Sequence, residues 1–394
     1  MPNQLNATLH HQPLHENLEQ RSVLITGGAG FIGSHTCDAL LARGYRVRVL
    51  DCLDPQIHGP ARQRPAYLDR RVELQVGDVR CREDLELAVA DMDAICHFAA
   101  QTGVGQSMYE IQSYCDVNIG GTAMLLDVLA NSPHRVKRLV LSSSRAVYGE
   151  GAYRCADCGT VYPPLRNREA LARNEWGISC PCCGKPLQPL PTAEDKPLAP
   201  ISIYAETKRV QEDLLRLFAA TYEIPSVILR YFNVYGTRQS LGNPYTGIGA
   251  IFTTRLLAGQ PIAIYEDGEQ GRDFVHVSDV VQANLLALEH PGAGGGTFNV
   301  GSGERLTVLD LARHVCRAVG RDEEFIYSGQ FRVGDIRDCY ADLTRSRDEL
   351  GFAPEVPFSR GVEELVAWAA GESREDRLAE AEAALRERGL MAGM

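Results

Sequence analysis

The sequence predicts an α/β fold with a doubly wound parallel sheet, a smaller C-terminal lobe and an inserted cysteine-rich ribbon. Three observations predict it. From Ser22 onward, short segments rich in β-branched residues alternate with helical ones, which is typical of a parallel sheet covered on both faces. A glycine-rich turn follows the first of these segments. Two Cys-x-x-Cys pairs then interrupt the alternation near the middle of the chain.

The predicted strands are SVLITG, YRVRVLD, VELQVGD, AICHFAA, RLVLSSS and, after the interruption, PSVILRYFNVYG. Removing the cysteine segment leaves the alternation intact, so we interpret that segment as an insertion. The predicted divisions are a disordered tail (1–20), the nucleotide-binding domain (21–152), the ribbon (153–190), the continued domain with its catalytic helix (191–232), a lobe (233–370) from which 273–300 returns to the first domain, and a charged, solvated C-terminal helix (371–394).

The composition excludes several classes of protein. The chain has 394 residues, of which 44% are hydrophobic, and a formal net charge of -11. Such an acidic balance argues against general binding to nucleic acid or to anionic membranes, because that binding depends on excess Lys and Arg. No run of 18 apolar residues is present, and residues 1–20 lack the apolar segment of a signal peptide. We therefore expect a cytoplasmic protein.

The turn in VLITGGAGFIGSH has the pattern of a dinucleotide site. Gly27 and Gly30 allow a tight turn and close approach of the backbone to a pyrophosphate, and Gly33 lets the helix pack closely. Asp51 ends the second strand, 21 residues after Gly30. A carboxylate there accepts hydrogen bonds from the adenosine ribose and repels a 2′-phosphate, which favours NAD over NADP. Phe31 and Ile32, within the turn, join the predicted cofactor site.

Two later strand ends agree with a Rossmann arrangement. Asp78 is predicted to hold the adenine amino group, with Val79 as a backbone contact. Phe98, Ala99 and Ala100 end the fourth strand, and the two alanines are small enough to leave room for a dinucleotide. These positions fall at the carboxyl ends of successive strands, where ligands bind in such sheets.

The catalytic residues are predicted from two segments. Tyr204 and Lys208 lie four apart on a helix and so share a face. A nearby ammonium and a cationic nicotinamide favour the phenolate of Tyr204 as a base. Ser144, at the end of RLVLSSS, is placed to hydrogen-bond a substrate hydroxyl and to assist Tyr204 during hydride transfer.

These residues resemble the extended short-chain dehydrogenases/reductases, specifically the NAD-dependent epimerase/dehydratase group that acts on nucleotide sugars. The matching blocks are TGGAGFIGSH, LSSSRAVYG, YAETK, LRYFNVYG, GRDFVHVSDV and FRVGD. The resemblance implies a catalytic triad of Ser144, Tyr204 and Lys208, and a homodimer formed through helices near 106–130 and 204–222. It further implies roles for residues outside the triad: Asn118 and Phe232 near the cofactor, Asn233 at the sugar-nucleotide pyrophosphate, and Arg272 and Arg332 on the phosphates.

The residues after Ser144 bear on the reaction. Dehydratases of this family carry an Asp-Glu pair there, whereas this sequence has Arg145 and Ala146. Without that acid/base pair, the resemblance favours 4-epimerisation through a transient 4-keto sugar. Alternatives are a reductase or decarboxylase of the same family, which consumes cofactor, and a catalytically silent NAD-sensing protein whose ribbon binds a partner.

The inserted segment predicts a metal site. Cys155 with Cys158, and Cys180 with Cys183, form two knuckles, each followed by glycine. Four thiolates in this spacing suit one tetrahedral zinc, and a site with all four positions filled is structural. Cys182 is a spare thiol, either a competing ligand or free. We expect the ribbon to form a lid or wall of the sugar pocket. Its resemblance to cysteine inserts in epimerases acting on dTDP-L-rhamnose favours that substrate over a UDP-hexose.

Overall fold

The computed structural model describes residues 21–245, 247–373 and 376–392; the predicted tail, 1–20, lies outside them. The strands are β1 (Ser22–Thr26), β2 (Arg46–Asp51), β3 (Glu73–Val76), β4 (Ala94–His97), β5 (Arg138–Ser144), β6 (Ala152–Cys155), β7 (Gly159–Val161), β8 (Gln188–Leu190), β9 (Ser226–Tyr231), β10 (Asn233–Tyr235), β11 (Ile262–Ile264), β12 (Gly271–Arg272), β13 (Phe274–His276), β14 (Thr297–Val300), β15 (Leu306–Thr307), β16 (Phe325–Tyr327), β17 (Phe331–Arg332), β18 (Asp338–Cys339) and β19 (Met391–Ala392).

The helices are α1 (Phe31–Ala42), α2 (Pro55–His58), α3 (Arg82–Val89), α4 (Val104–Ser107), α5 (Ile111–Tyr114), α6 (Gly121–Asn131), α7 (Arg168–Ala172), α8 (Ile203–Tyr222), α9 (Ile248–Leu257), α10 (Val277–Glu289), α11 (Val308–Val319), α12 (Thr344–Leu350), α13 (Phe358–Gly371) and α14 (Leu378–Glu387). A π-helical turn at Cys115–Gly120 joins α5 to α6, and a 3₁₀ turn at Arg145–Tyr148 follows β5.

The central sheet has seven strands in the order β14-β9-β5-β4-β1-β2-β3, and every pair in it is parallel. This is the order of a Rossmann sheet with one strand added, so the predicted fold class is confirmed. The chain reverses direction across the sheet between β1 and β4, which opens a crevice at the carboxyl ends of these strands. The register places Ser144 of β5 beside Tyr231 of β9.

Both faces of the sheet are covered, as the apolar strands require. Val23 and Ile25 of β1 enter a core with residues of α1 and α10. Leu24 points to the other face, where it packs with residues of α3, α6 and α8. Because successive strand side chains point to opposite faces, a strand buried on both sides must be apolar throughout.

A smaller lobe packs around a third core, formed mainly by α9, α11 and α13. The lobe is built from several excursions of the chain after β9, and β14 leaves it to join the edge of the main sheet. The inserted segment forms its own antiparallel sheet, β7-β6-β8. No helix in the described parts of the chain is long and apolar enough to cross a membrane.

The C-terminal segment differs from the prediction of a solvated helix. Among the described residues of the predicted helix 371–394, 378–387 form α14, and β19 then pairs antiparallel with β17. Leu378, Leu385 and Met391 are buried. The prediction was wrong because the charged residues of this segment cover only its outer face.

Candidate active site

A cleft of about 960 Å³ lies along the carboxyl ends of the central strands. It extends from the glycine-rich turn after β1 to the lobe, where Arg332 lines its far end. The buried leucines of the C-terminal segment, Leu378 and Leu385, also line it. The cleft therefore has a cofactor side made by the sheet and a second side made by the lobe.

The glycine-rich turn has no space for side chains. Gly27 has a φ of +71°, and a Cβ there would lie 2.8 Å from the backbone nitrogen of Ala99. A Cβ on Gly33 would lie 2.5 Å from the carbonyl oxygen of Gly27. Gly30 is the N-cap of α1, so the free N–H groups of that helix face the cleft, where a pyrophosphate binds in dinucleotide sites. Phe31 and Ile32 line the cleft as predicted.

Asp51 lies at the end of β2 beside this turn. Its carboxylate accepts hydrogen bonds from the backbone N–H of Ala29, at 3.0 Å, and of Leu53, at 2.9 Å. These bonds fix the carboxylate at the edge of the cleft, where an adenosine ribose is expected.

We expect Asp51→Asn to weaken NAD binding roughly 10-fold while weakening NADP binding less, because the amide neither repels a 2′-phosphate nor accepts two ribose hydrogen bonds as well. Calorimetric titration with both dinucleotides measures the two affinities. Asp91→Asn, on an exposed residue before β4, is the matched control. An unchanged ratio of NAD to NADP affinity contradicts the assignment.

The other predicted strand-end residues also line the cleft: Asp78, Val79, Phe98, Ala99 and Ala100. The Asp78 carboxylate, however, is paired with the Arg80 guanidinium at 2.6 Å, and this hydrogen-bonded pair lowers the pKa of Asp78. Asp78 therefore faces the adenine side as a carboxylate already held by an arginine.

Two predicted cofactor residues, Asn118 and Phe232, are not among the residues that line the cleft. Asn118 is fully buried, and its amide is used by neighbours: Oδ1 accepts from the Gln101 N–H, and Nδ2 donates to the Gln101 carbonyl and the Thr207 hydroxyl. Asn118 thus ties the loop after β4 to α8 and positions the site indirectly. Phe232 packs in the sheet core, 6.4 Å from the ring of Tyr148, and does not line the cleft.

The three predicted catalytic residues converge at one point. Ser144 ends β5 and caps the following 3₁₀ turn by accepting a hydrogen bond from the Ala146 N–H. Tyr204 lies in the first turn of α8 and hydrogen-bonds Ser144. Lys208, one turn later, is buried and donates to the carbonyl of Ser142 at 2.8 Å.

The charge balance around Tyr204 differs from the expected one. Burial raises the pKa of Tyr204, while the Ser144 hydrogen bond and the positive charge of Arg145 lower it by less. Burial lowers the pKa of Lys208 to about 7, against the opposing effect of Glu212. Lys208 therefore carries only part of a charge near neutral pH, and the cation that acts on Tyr204 throughout that range is Arg145.

The predicted substrate residues Asn233, Arg272 and Arg332 all line the cleft. They differ in whether their side-chain atoms are already hydrogen-bonded within the protein. The side-chain oxygen of Asn233 is buried without a hydrogen-bond partner among the described residues, and so is Nε of Arg332. Both atoms are available to a ligand. Arg272, by contrast, donates to the Asp335 carboxylate and to the carbonyls of Gly271, Ile336 and Arg337. It holds the 335–337 segment and has little capacity left for a phosphate.

One buried ion pair beneath the site was not predicted. Arg230 of β9 and Glu212 of α8 are 3% and 0% exposed and form two hydrogen bonds, at 2.7 and 2.9 Å. Ser143 donates to the same carboxylate, and Arg230 also donates to the Tyr148 hydroxyl. The pair therefore joins the catalytic helix to both neighbouring strands. The available signal was an acid in a charged helix followed, 18 residues later, by an arginine inside an apolar strand.

The four predicted metal ligands, Cys155, Cys158, Cys180 and Cys183, lie with their sulfur atoms within 4.8 Å of one another. Backbone N–H groups of Cys182 and Cys183 hydrogen-bond the sulfur of Cys180. This donor set and its N–H···S bonds suit a structural zinc ion. Cys182 is exposed and stands outside the group.

The inserted segment is attached to the substrate side of the cleft. Arg166 forms a buried ion pair with Glu266 and donates to the carbonyl of Asp335. Trp176 packs on Phe331, next to Arg332, with ring centroids 6.2 Å apart. The segment also contributes Leu165 to the lining of the cleft.

The parallel sheet and the glycine-rich turn are those of a dinucleotide-binding enzyme fold. The chain belongs to the NAD dependent epimerase/dehydratase family, whose model it matches over residues 23–173 and 178–301. The predicted family, and with it an enzyme of the NAD-dependent epimerase class, is confirmed.

Among curated relatives, the chain is 39% identical to the dTDP-L-rhamnose 4-epimerase of Burkholderia thailandensis, over 90% of this chain and 96% of that protein. Two solved structures are also similar. UDP-glucose 4-epimerase of Thermotoga maritima with UDP-glucose has a TM-score of 0.72 and 32% identity, over 88% of this chain and 98% of that one. UDP-glucose 4-epimerase of Thermus thermophilus with NAD has a TM-score of 0.70 and 30% identity, over 89% and 100%.

Proposed function

We propose that this protein is a nucleotide-sugar 4-epimerase that uses bound NAD and converts dTDP-L-rhamnose to dTDP-6-deoxy-L-talose. The observation that carries the reaction type is the pair Arg145 and Ala146 directly after Ser144. A dehydratase needs an acid and a base beside the reacting carbons, and neither residue is a carboxylic acid.

The nearest carboxylates support this choice, because neighbours already hold them. Glu150 accepts hydrogen bonds from the backbone N–H groups of Arg337 and Asp338 and from the Tyr153 hydroxyl. Asp335 is paired with Arg272 at 2.9 Å. Neither group is free to remove a proton from a sugar carbon.

NAD, when bound, accepts a hydride from the sugar and returns it. Tyr204 removes the proton from the C4 hydroxyl as the hydride leaves C4, and gives it back when the hydride returns to the opposite face. Ser144 holds the C4 oxygen by a hydrogen bond in both steps. The glycine turn and Asp51 hold the dinucleotide, and the free Asn233 oxygen and Arg332 Nε lie where a nucleotide-sugar backbone is expected.

Two further observations support dTDP-L-rhamnose as the substrate. The 39% identical relative is described as a dTDP-L-rhamnose 4-epimerase, and the inserted cysteine segment resembles inserts in epimerases of that substrate class. Among the alternatives, a UDP-hexose 4-epimerase keeps the same mechanism. It is favoured by the structural similarity to UDP-glucose 4-epimerases.

The test is an NMR-monitored incubation of the purified protein with dTDP-L-rhamnose, UDP-glucose or UDP-N-acetylglucosamine, with catalytic NAD⁺ only. New 4-epimer signals from dTDP-L-rhamnose alone support the proposal. Turnover of a UDP-sugar alone overturns the substrate and keeps the mechanism. No product from any of the three contradicts the epimerase assignment for these substrates, and a requirement for stoichiometric cofactor identifies a reductase or decarboxylase.

We further propose a homodimer that forms through the helical segments 106–130 and 204–222. Exposed apolar side chains lie on or next to these segments, namely Met108, Ile111, Leu217 and Tyr222. Sedimentation velocity measures the assembly directly, and a monomer at micromolar concentration contradicts it.

The inserted segment is proposed to bind one structural zinc that holds the substrate side of the cleft. We expect the double substitution Cys155→Ser and Cys180→Ser to abolish zinc binding and to raise KM for the nucleotide sugar roughly 10-fold, because Arg166 and Trp176 lose their support. NAD affinity should change little, since these contacts lie on the other side of the cleft.

Metal analysis by mass spectrometry and steady-state kinetics measure the two effects. Cys182→Ser, outside the sulfur group, is the matched control and should retain zinc. Loss of zinc with KM and substrate choice unchanged excludes a role for the ribbon in the pocket.

A further inference from the structure

Arg145 is an unexplained cation at the centre of the site. It follows Ser144 directly, begins the 3₁₀ turn and lines the cleft beside Tyr204. Its backbone is held rigidly, because the next residues of the turn, Val147 and Tyr148, are fully buried. The Tyr148 hydroxyl is further fixed by a hydrogen bond to Asn299 at 2.7 Å.

Within the described part of the chain, no hydrogen bond or ion pair engages the Arg145 guanidinium. Three other arginines near the site are each engaged by a carboxylate: Arg166 pairs with Glu266, Arg230 with Glu212, and Arg272 with Asp335. The carboxylates of Asp335 and Glu150 act on the Arg145 charge without a direct hydrogen bond or ion pair. A partly buried guanidinium without hydrogen-bond acceptors is unfavourable unless a ligand supplies them.

The surroundings restrict which ligand this is. Burial lowers the pKa of Arg145, and the charge of Arg272 lowers it further, against the opposing effects of Cys339, Asp335 and Glu150. A ligand with oxygen acceptors therefore suits this guanidinium better than an additional cation. On the cleft side, Arg145 lies next to Ser144 and Tyr204, which hold the reacting oxygen. Arg332, with its free Nε, lies on the lobe side next to Tyr265. The two arginines are therefore suited to different parts of one substrate, Arg332 to the phosphates and Arg145 to the sugar.

We propose that Arg145 is a further catalytic residue, whose guanidinium donates to the C4 oxygen and the neighbouring sugar hydroxyl and whose charge favours the Tyr204 phenolate. This rests on the proposed 4-epimerase function. A planar guanidinium fork spans two oxygens on adjacent carbons, which an ammonium cannot do. Arg145 transfers no proton: the hydride moves between C4 and the cofactor, and the proton moves between the C4 oxygen and Tyr204.

The titratable groups that face Tyr204 are few. Lys208 lies on its own helix, Arg145 lies on the turn after β5, and Tyr114 lies on α5, where burial, then Glu110 and then Tyr204 raise its pKa. Since burial leaves Lys208 only partly charged near neutral pH, removal of Arg145 takes away the permanent positive charge. The pKa of Tyr204 should then rise.

Two readouts test the proposal, and the first needs no substrate. Ultraviolet difference titration of the NAD-bound protein against its Tyr204→Phe variant gives the pKa of Tyr204. We expect Arg145→Met to raise this pKa by about 1 unit and Arg145→Lys to restore most of it. Arg154→Met, on an exposed residue of β6, should leave it unchanged.

The second readout uses the nucleotide sugar that the wild-type protein epimerises. We expect Arg145→Met to lower kcat roughly 100-fold and to move the acidic limb of the pH profile upward. Arg145→Lys should recover the position of that limb while leaving kcat about 10-fold low, because it lacks the fork. Circular dichroism should show unaltered folding, since the side chain bonds no described residue.

An unchanged Tyr204 pKa in Arg145→Met overturns the proposal whatever the rate, and so does a kcat within about 3-fold of wild type. If Arg145→Met shifts the pKa of Tyr204 but the wild-type protein turns over no substrate, the effect of Arg145 on Tyr204 is supported. The proposed epimerase function is then the part that fails.

Discussion

Tyr204→Phe should abolish epimerisation, with kcat falling at least 1,000-fold, because loss of a positioned acid/base residue removes about 10²–10⁴ in rate. The substitution removes one hydroxyl and leaves the rest of the ring in place. We therefore expect NAD affinity to stay within about 3-fold and the fold to be unaffected. NMR turnover assays and NAD titration measure the two effects.

Tyr222→Phe is the matched control, since Tyr222 lies at the end of the same helix and is 50% exposed. It should retain full activity. More than a tenth of wild-type activity in Tyr204→Phe contradicts the catalytic assignment. The alternative is an NAD-sensing protein without catalytic activity. It is identified if the wild-type protein turns over no substrate and Tyr204→Phe binds a partner protein as well as the wild type does.

The second large effect is expected on stability, at the buried pair Arg230 and Glu212. Arg230→Met removes the buried partner of the Glu212 carboxylate, which keeps only the partly exposed Arg216 at 2.6 Å and the Ser143 hydroxyl. We expect a cost of up to about 3–5 kcal/mol. Urea unfolding measures this loss. Arg209→Met, on the exposed side of α8, is the control and should cost less than about 0.5 kcal/mol.

The double variant Arg230→Met with Glu212→Leu should recover part of this loss of stability, because the buried pair then carries no charge.

The stabilisation by the Arg230–Glu212 pair also depends on pH. Although burial opposes it, Arg230 holds the pKa of Glu212 below its usual value. The stabilisation is therefore complete above the unfolded-state pKa and is lost as the pH falls through the folded-state pKa. A single-variant cost below about 1 kcal/mol, or one that grows in acid, contradicts this account.

The features predictable from the sequence are those encoded locally. The turn from Gly27 to Gly33, the spacing of Tyr204 and Lys208, and the paired cysteines each lie within one short segment. Their geometry follows from a few neighbouring residues, because a helix or a knuckle fixes the relative positions of residues three or four apart. The doubly wound parallel sheet followed from the alternation of strands and helices, which allows few topologies.

The features that were missed depend on distant contacts. Asn118 resembles a cofactor residue in sequence, yet its amide is used by Gln101 and Thr207, and Thr207 lies 89 residues away. The donors of Arg272 are taken by the 335–337 segment, more than 60 residues later. The C-terminal segment reaches the cleft only because β19 pairs with β17. No local pattern specifies such partners.

The ionisation states of Tyr204 and Lys208 could not be predicted from their spacing in the sequence. Tyr204 and Lys208 share a helix face, which predicts an ammonium near the phenol. The actual ionisation depends on burial, since Lys208 is 2% exposed. Desolvation penalises a charged amine in proportion to its burial, and burial is a property of the whole fold.

The grouping of cysteines in the inserted segment has a consequence for oxidation. The sulfur atoms of Cys155 and Cys183 lie 3.4 Å apart, so a metal ion and an oxidant would compete for the same thiolates. The proposed zinc would protect these thiolates from disulfide formation, and its chelation would expose four neighbouring thiols at once. We expect chelation under reducing conditions to be reversed by added zinc and chelation in air to leave a covalent disulfide. The redox state of the buffer would then determine whether the inserted segment can be rebuilt.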